Sequence, residues 1–574
     1  MMFIALLAVV SLIGSGGFGP KWQPLFGAMD VFIIVCFVGN AIVRLIIAPH
    51  WWRYIKERPF QYILIALFIS QVLIVQLILT NINYRYILNQ LSLVDITKIY
   101  IVLMQFFIIV ELIAELGRIN SRMASLPLPP AALFVGSFLV LITGGTILLS
   151  LPGATHGDGI SLIDALFTAT SATCVTGLIV QPTGSFFTRF GHMIILILIQ
   201  FGGLGLMTFG TFFALIFRRD LGLRERVLFG DVLNVRVFGK IKSLLAAIIG
   251  ITLGMEGLGA LLLYLSSGRY ESAMDSRFFW SIFHSVSAFC NAGFSLWNDN
   301  IGRFTADWRM TFIFAGLIIA GGLGFVVLAD IGRYIFSPFR VKKRRIPHFR
   351  LQTKIVLSTS VLLIAFGMIF LMIGDNSCLM RRESFEVNLL TAFFQSVTAR
   401  TAGFNTVNVG AFAPGALFIL IMLMFIGASP GSTGGGVKTT TIAVIFGAVR
   451  ARLRGRERVD VFNRSIPNNI VNVAAMIIFL AGLVIGLGTF IVCSIELKNH
   501  PEWRFMDIFF EVVSAFGTVG LSTGPTFGLS AASKFVLIVT MLIGRVGPLT
   551  FLFSISRHVK VKRIKFIEEN VMVG

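Results

Sequence analysis

Apolar residues along this chain do not alternate over ten-residue stretches and do not form narrow stripes. They run for ~18–22 residues at a time, the length a helix needs to cross a hydrocarbon core. This pattern predicts helices at about 2–14, 30–49, 60–80, 98–117, 131–151, 191–217, 243–266, 310–331, 353–374, 416–449 (interrupted), 469–493 and 535–556. The first run is short, has no positive start and no clear small-residue cleavage pattern after it, so it reads as a span rather than a signal peptide.

Composition turns the pattern into a class. Of 574 residues, 56% are hydrophobic and only 13% charged, about half the charged share of a soluble domain. Mean hydropathy is +0.87. Only helices and closed barrels satisfy the backbone in lipid, and runs of this length select helices. The expectation is an all-α integral membrane protein. The five cysteines (Cys36, Cys174, Cys290, Cys378 and Cys493) show no CxxC spacing, and Cys36, Cys174, Cys290 and Cys493 lie in or beside apolar segments, where they read as buried small residues.

The net charge of +21 is unevenly placed. More than half of the 48 basic residues fall in 217–243, 332–354, 448–465 (Arg450 to Arg464) and the tail after Arg557. All four segments follow the second helix of a unit, so they can share one side, which the positive-inside rule makes cytoplasmic. Loops 50–59 and 118–130 join them if the N-terminal spans alternate. The charge is therefore an orientation signal, and nucleic acid is not an expected partner.

Four segments align without gaps on one glycine: FTATSATCVTGL (167–178), FHSVSAFCNAGF (283–294), FFQSVTARTAGF (393–404) and FEVVSAFGTVGL (510–521). The glycines are Gly177, Gly293, Gly403 and Gly520, separated by 116, 110 and 117 residues, with Phe167, Phe283, Phe393 and Phe510 ten before them. Each segment lies between two spanning helices and is too short and polar to span. Each unit thus reads as helix, short re-entrant helix, irregular loop, helix. Irregular backbone at membrane depth survives where it is buried in protein or lines a wet cavity. Four such loops meeting on one axis can offer carbonyl oxygens to a dehydrated cation. The expected architecture is four helix–pore-loop–helix repeats around a central pore, plus extra N-terminal transmembrane helices. Its divisions are 1–127 (N-terminal extension), 128–242, 243–352, 353–468 and 469–574 (repeats one to four, the last with a cytoplasmic tail).

These loops resemble the four filter loops of the Trk/Ktr/HKT superfamily of potassium transporters over about residues 128–574. SVTARTAGFNTV and the C-terminal RIKFIEENVMVG look closest to the KtrB/TrkH membrane subunits, whereas the first ~125 residues supply more spans than either branch. The resemblance implies a translocating subunit for potassium uptake across a bacterial plasma membrane, through a gated, channel-like pore. Potassium, the transported ion, would be held at filter backbone: Val175, Thr176 and Gly177; Asn291, Ala292 and Gly293; Thr401, Ala402 and Gly403; Thr518, Val519 and Gly520. In plant-type members a serine at the first filter glycine accompanies sodium permeation; Gly177 favours potassium. A single glycine per loop makes some sodium leak plausible, and a sodium-permeable or Na+/K+ cotransporting member is the alternative. The resemblance also implies a homodimer and a cytoplasmic nucleotide-binding regulatory subunit, for which the basic segments offer a docking surface; a merely solvated or lipid-facing basic face explains them equally well.

The third unit's second helix is interrupted at 427–441, within FIGASPGSTGGGVKTTTIAV. Proline and glycine weaken a helix interior by ~3 and ~1 kcal/mol. The matching helices carry milder interruptions at 202–206, 321–325 and 544–548. In the family this segment resembles the intramembrane loop that obstructs the pore, so Gly431, Ser432, Thr433, Gly434, Gly435, Gly436, Lys438 and Arg545 are the expected gate. A charge in lipid costs at least ~2.5–3.5 kcal/mol, so Arg545 is expected to latch the loop through its carbonyls, and Lys438 either joins it or snorkels to an interface.

Arg400 and Glu511 can pair behind the filter. Glu256, Glu111 and Glu115 are intramembrane acids that suit helix packing as well as a site. Asp164 and Asp507, thirteen before their glycines, are expected to cap the short helices. No HExxH or GxxxxGK[ST] pattern occurs. The chain therefore reads as a non-enzyme without an organic cofactor, with membrane lipid as its surroundings. A secondary transporter of another solute is the remaining alternative, though such folds usually show inverted halves.

Overall fold

The computed structural model describes residues 20–47, 130–157, 159–216, 241–269, 274–335, 348–375 and 384–555, with some positions before residue 20. The expected spans at 60–80 and 98–117, Glu111, Glu115, the loops at 50–59 and 118–129, the basic stretches 217–240 and 336–347, and the tail from 556 lie outside the described residues. The chain divides into two compact units.

The first unit comprises Met1–Pro127, Gly144–Ala165 and Gly184–Ile195. Its fixed point is Gly153, whose carbonyl accepts from Thr188 Oγ1 at 2.6 Å. Beside it Thr155 bridges Phe187, and His156 N donates to Phe186 O at 2.8 Å. The first short helix, Leu162–Thr173, is capped by Ser161: Asp164 N donates to Ser161 Oγ at 3.2 Å. A serine hydroxyl one position ahead of the helix reaches the third backbone N–H, as an N-cap must, and Asp164 lies inside the first turn.

The second unit, Leu128–Thr143, Leu166–Thr183 and Leu196–Gly574, carries most of the chain's packing. Repeat two runs from Ile241–Ser266 through the short helix Met274–Phe289 to Trp308–Leu323 and Phe325–Ile335. Repeat three runs from Leu351–Gly374 through Phe385–Thr398 to Pro414–Phe425 and Thr439–Leu453. Repeat four runs from Asn468–Asn499 through Phe505–Gly517 to Ala531–Val546 and Pro548–Ile555. Repeat one is flanked by Pro130–Leu149 and Arg189–Ile216. Among the described residues four helices are long and apolar enough to span a membrane, and two bent pairs add further spans. Large apolar side chains such as Phe479, Phe490 and Val361 are more than 60% exposed on them, as lipid-facing surfaces require. The protein is a multi-pass, all-α membrane protein.

Two of the matching second helices are sharply broken, where the sequence suggested mild interruptions. The bends are 107° between Trp308–Leu323 and Phe325–Ile335, and 101° between Ala531–Val546 and Pro548–Ile555. Each turns on one glycine in the left-handed region, Gly324 (φ 86°) and Gly547 (φ 92°), where a Cβ would be strained. A second departure lies in the basic segment 448–465. Val459–Val461 and Arg464–Ile466 form a small antiparallel hairpin, turned by Phe462 (φ 48°) and Asn463 (φ 61°), the pair of positive φ values that a tight two-residue hairpin turn requires. Its Val459 and Ile466 pack on Val444, Ala451 and Ala474.

Candidate functional site

The site begins where each short helix ends. In repeats one, two and four the helix closes with a bond from the residue before the filter glycine back to a serine carbonyl. These are Thr176 N to Ser171 O (2.7 Å), Ala292 N to Ser287 O (2.7 Å) and Val519 N to Ser514 O (2.9 Å). This is the six-to-one closure of a Schellman motif, which needs a left-handed residue one step earlier. That residue is usually glycine; here it is Val175 (φ 56°), Asn291 (φ 60°) and Thr518 (φ 49°), with Thr401 (φ 75°) in repeat three. A β-branched residue in this region is a true outlier, costing roughly 1–2 kcal/mol. The filter glycines two positions on also have positive φ: 90°, 70°, 76° and 92° for Gly177, Gly293, Gly403 and Gly520. The left-handed backbone recurs at one position of all four loops.

The serine hydroxyls complete the turn. Gly177 N donates to Ser171 Oγ and Gly520 N to Ser514 Oγ, both at 3.1 Å. Ser287 Oγ and Thr398 Oγ1 instead donate past the glycine to Phe294 O (2.8 Å) and Phe404 O (2.6 Å).

The four loops meet. A Cβ added to Gly177 would overlap the carbonyl oxygen of Ala292, one on Gly293 that of Ala402, one on Gly403 that of Val519, and one on Gly520 that of Thr176. The Cα of the next repeat's glycine lies beside each of these positions, 3.2, 3.0, 3.1 and 2.9 Å from them. The contacts run from repeat one to two, two to three, three to four, and four back to one. They form a closed ring of glycines packed on carbonyls, with room for no side chain at any of the four.

Against this ring lies the break in repeat three. The helix stops at Phe425 and resumes at Thr439, because the intervening residues bond elsewhere. Ser429 N donates to Gly322 O (3.0 Å), Thr433 N to Gly321 O (3.3 Å) and Gly436 N to Gly544 O (3.2 Å). Gly435 N donates to Thr518 Oγ1 (3.0 Å) and Thr433 Oγ1 to Phe289 O (3.2 Å). The loop's Gly434 abuts Thr401, and Gly435 abuts Thr518, so it touches two of the four left-handed filter positions. Arg545, 1% exposed, donates from Nη1 to Thr433 O and from Nη2 to Gly202 O at 2.6 Å. Lys438 Nζ donates to Gly434 O at 2.7 Å; it turns back into the loop rather than snorkelling.

Residues 130–562 match the TrkH family, cation transport proteins. The chain belongs to that family. Among relatives, the TrkH-family chain is 39% identical over 448 residues to Ktr system potassium uptake protein B of Bacillus subtilis, covering 78% of this chain and 97% of that one. It is 36% identical over 454 residues to potassium/sodium uptake protein NtpJ of Enterococcus hirae, covering 78% and 98%. The crystal structure of the potassium transporter TrkH from Vibrio parahaemolyticus shares its fold, with a TM-score of 0.60 at 20% identity over 75% of this chain and 86% of that one. TrkH-family members are transport proteins, not enzymes.

The TrkH-family scaffold also corrects the alignment of repeat three. Phe167, Phe283 and Phe510 are fully buried ten before their glycines, but in repeat three the fully buried phenylalanine is Phe394, nine before Gly403; Phe393 is only partly buried. The closing bond shifts with it, from Ala402 N to Thr398 O at 3.0 Å. Repeat three is one residue shorter between its buried phenylalanine and its filter glycine. Two adjacent phenylalanines hide this in the sequence.

Arg400 and Glu511 do not pair. Arg400 is buried and donates from Nη2 to Ser360 Oγ at 3.1 Å. Glu511 accepts from Ser522 Oγ (2.7 Å), Thr523 N (2.9 Å) and Thr526 Oγ1. Each bonds within its own repeat. Asp507 does act at a helix start, its Oδ2 accepting from Arg504 N at 3.1 Å. Glu256 accepts from Gln200 Nε2 at 3.1 Å and contacts Cys290 Sγ at 3.6 Å, tying a helix of repeat one to repeat two.

Proposed function

We propose that this chain is the ion-translocating subunit of a potassium uptake system, conducting through a gated pore. The closed ring at Gly177, Gly293, Gly403 and Gly520 carries this reading. In it the carbonyls of Thr176, Ala292, Ala402 and Val519 sit at the meeting point of the four repeats, and together with Val175, Asn291, Thr401 and Thr518 they supply the oxygens that replace water around a dehydrated cation. Potassium is cargo at these residues. The short helices point their negative C-terminal ends toward it. The divisions 128–242, 243–352, 353–468 and 469–574 are the four pore repeats, and 1–127 is the extension.

The loop 427–441 is the gate. It lies against Thr401 and Thr518 and is held by Arg545. A fixed guanidinium beside the path also repels potassium, so opening requires the loop and its latch to move. The relatives' Ktr system names support a multi-component assembly. We assign the basic segments to the cytoplasmic side of a bacterial plasma membrane, where a nucleotide-binding regulatory subunit docks on a homodimer of this chain.

A second reading, sodium permeation beside potassium, is favoured by two observations. One relative is named a potassium/sodium uptake protein, and the four filter loops differ in sequence. Uptake of ⁸⁶Rb⁺ and ²²Na⁺ into proteoliposomes separates the readings. Rubidium accumulation far above sodium supports potassium uptake, comparable accumulation supports the second reading, and none of either overturns both.

A further inference from the structure

Directly after the buried phenylalanine of each short helix stands a buried polar residue: Thr168, His284, Gln395 and Glu511. In repeats two and four this residue makes the same pair of contacts. His284 Nε2 accepts from Leu296 N at 3.3 Å and lies 3.0 Å from Ser295 Oγ, which itself donates to Asn300 O at 2.9 Å. Glu511 Oε1 accepts from Ser522 Oγ at 2.7 Å and from Thr523 N at 2.9 Å. Each serine stands two residues past its filter glycine. Each in turn accepts from the backbone two residues further on: Trp297 N at 3.1 Å and Gly524 N at 3.0 Å.

The local chemistry suits the task. Leu296 N–H pointing at Nε2 assigns the His284 ring proton to Nδ1, which lies 2.9 Å from Trp280 O and donates to it. The imidazole lies tilted against Trp280, centroids 4.4 Å apart, and is fully enclosed. Glu511 is saturated by three donors, the usual condition for burying a carboxylate. Repeats one and three do not repeat the arrangement. Position 179 in repeat one is Ile179, and both amide atoms of buried Gln395 lack a partner.

Repeats two and four face each other across the ring, because the glycine contacts run one, two, three, four. We propose that His284 and Glu511 are positioning residues of the filter. They clamp the backbone just beyond Gly293 and Gly520 on two opposite sides, and so set how strictly the pore rejects a cation smaller than potassium. This rests on the reading of the ring as the ion path. Neither side chain needs to touch the ion; each fixes the strand whose carbonyls do.

The test uses the full chain in proteoliposomes and compares ²²Na⁺ with ⁸⁶Rb⁺ uptake for Ser522→Ala, Ser295→Ala, Glu511→Ala, Glu511→Gln and Glu511→Ala/Ser522→Ala. Each serine change deletes one oxygen, so the fold is kept even if Glu511→Ala proves too costly. The sodium-to-rubidium ratio should rise about five-fold in Ser522→Ala and Ser295→Ala, the worth of one ordinary hydrogen bond. Glu511→Gln, which keeps an acceptor for Ser522 and Thr523, should recover most of the wild-type ratio. The double variant should fall within about two-fold of the stronger single, as coupled partners do. Unchanged ratios in both serine variants, or effects of Glu511 and Ser522 that simply multiply, overturn the clamp alone. A wild type that takes up neither ion overturns the ion-path reading and the clamp with it.

Discussion

Thr518 Oγ1 accepts a hydrogen bond from Gly435 N at 3.0 Å, so a residue of the fourth filter loop is bonded directly to the segment that interrupts the third repeat. Thr518 is also one of the four left-handed residues, and the strain it carries turns its hydroxyl toward that segment. On the proposed reading, filter and gate share this side chain.

Thr518→Val keeps the shape and removes the acceptor. It leaves the buried Gly435 N–H unpaired at a cost of about 1–3 kcal/mol. Because that cost falls on the closed loop, the open state gains, and ⁸⁶Rb⁺ uptake should rise by at least about five-fold. An unchanged or reduced rate at equal protein would remove Thr518 from gating.

Gly177→Ser introduces a Cβ at φ 90° and overlaps Ala292 O. Gly157 offers a control, since its φ is 87° but nothing lies within 4 Å of an added Cβ. Both substitutions cost about 1–2 kcal/mol of backbone strain. Only Gly177→Ser should alter discrimination between ⁸⁶Rb⁺ and ²²Na⁺; Gly157→Ser should lower thermal stability alone. Equal ratios in wild type and Gly177→Ser would show that the overlap does not reach the ion path.

Arg545→Met keeps length and apolar bulk but deletes the bonds to Thr433 O and Gly202 O. Hydrogen bonds to charged groups contribute about 1.5–3 kcal/mol each, so the loop should release and uptake should rise at least about ten-fold. Lys438→Met removes the contact to Gly434 O, which lies within the loop itself. Its effect should be smaller, and a Lys438 effect exceeding that of Arg545 would reverse the assignment of the latch.

Gly324 and Gly547 break equivalent helices with nearly equal φ, yet their neighbours differ. A Cβ on Gly324 would sit 2.8 Å from Pro430 O and 2.9 Å from Gly431 O; on Gly547 the nearest atom is Thr550 Oγ1 at 3.9 Å. Gly324→Ala should therefore push on the loop and change the uptake rate, while Gly547→Ala should cost stability of about 1–2 kcal/mol with the rate preserved. Matched rates in the two variants would show that the Gly324 contact is passive.

The ring was legible because its glycines have no substitute: a fixed spacing from Phe167, Phe283, Phe393 and Phe510 exposed all four. The interruption at 427–441 was legible because proline and glycine cluster in an apolar run. The left-handed Val175, Thr401 and Thr518 were not, since valine and threonine are among the last residues expected at positive φ, and only the closure around them forces it. The one-residue slip of repeat three was masked by Phe393 standing beside Phe394. The hairpin at 459–466 was obscured by arginines, whose charge reads as solvated surface although Val459 and Ile466 turn inward. Arg400 and Glu511 looked like partners because the sequence shows opposite charges but not the nearer hydroxyls of Ser360 and Ser522.

The ring has a direction. Every glycine leans on the carbonyl of the repeat that follows it, never on the one before. Damage is therefore displaced: a bulky residue at position 403 injures the oxygen of Val519, not that of its own strand, and one at 520 injures Thr176. Four near-copies in one polypeptide can thus drift apart in their helices and tails, but each filter turn is answerable to a neighbour encoded more than a hundred residues away, or at the other end of the pore region.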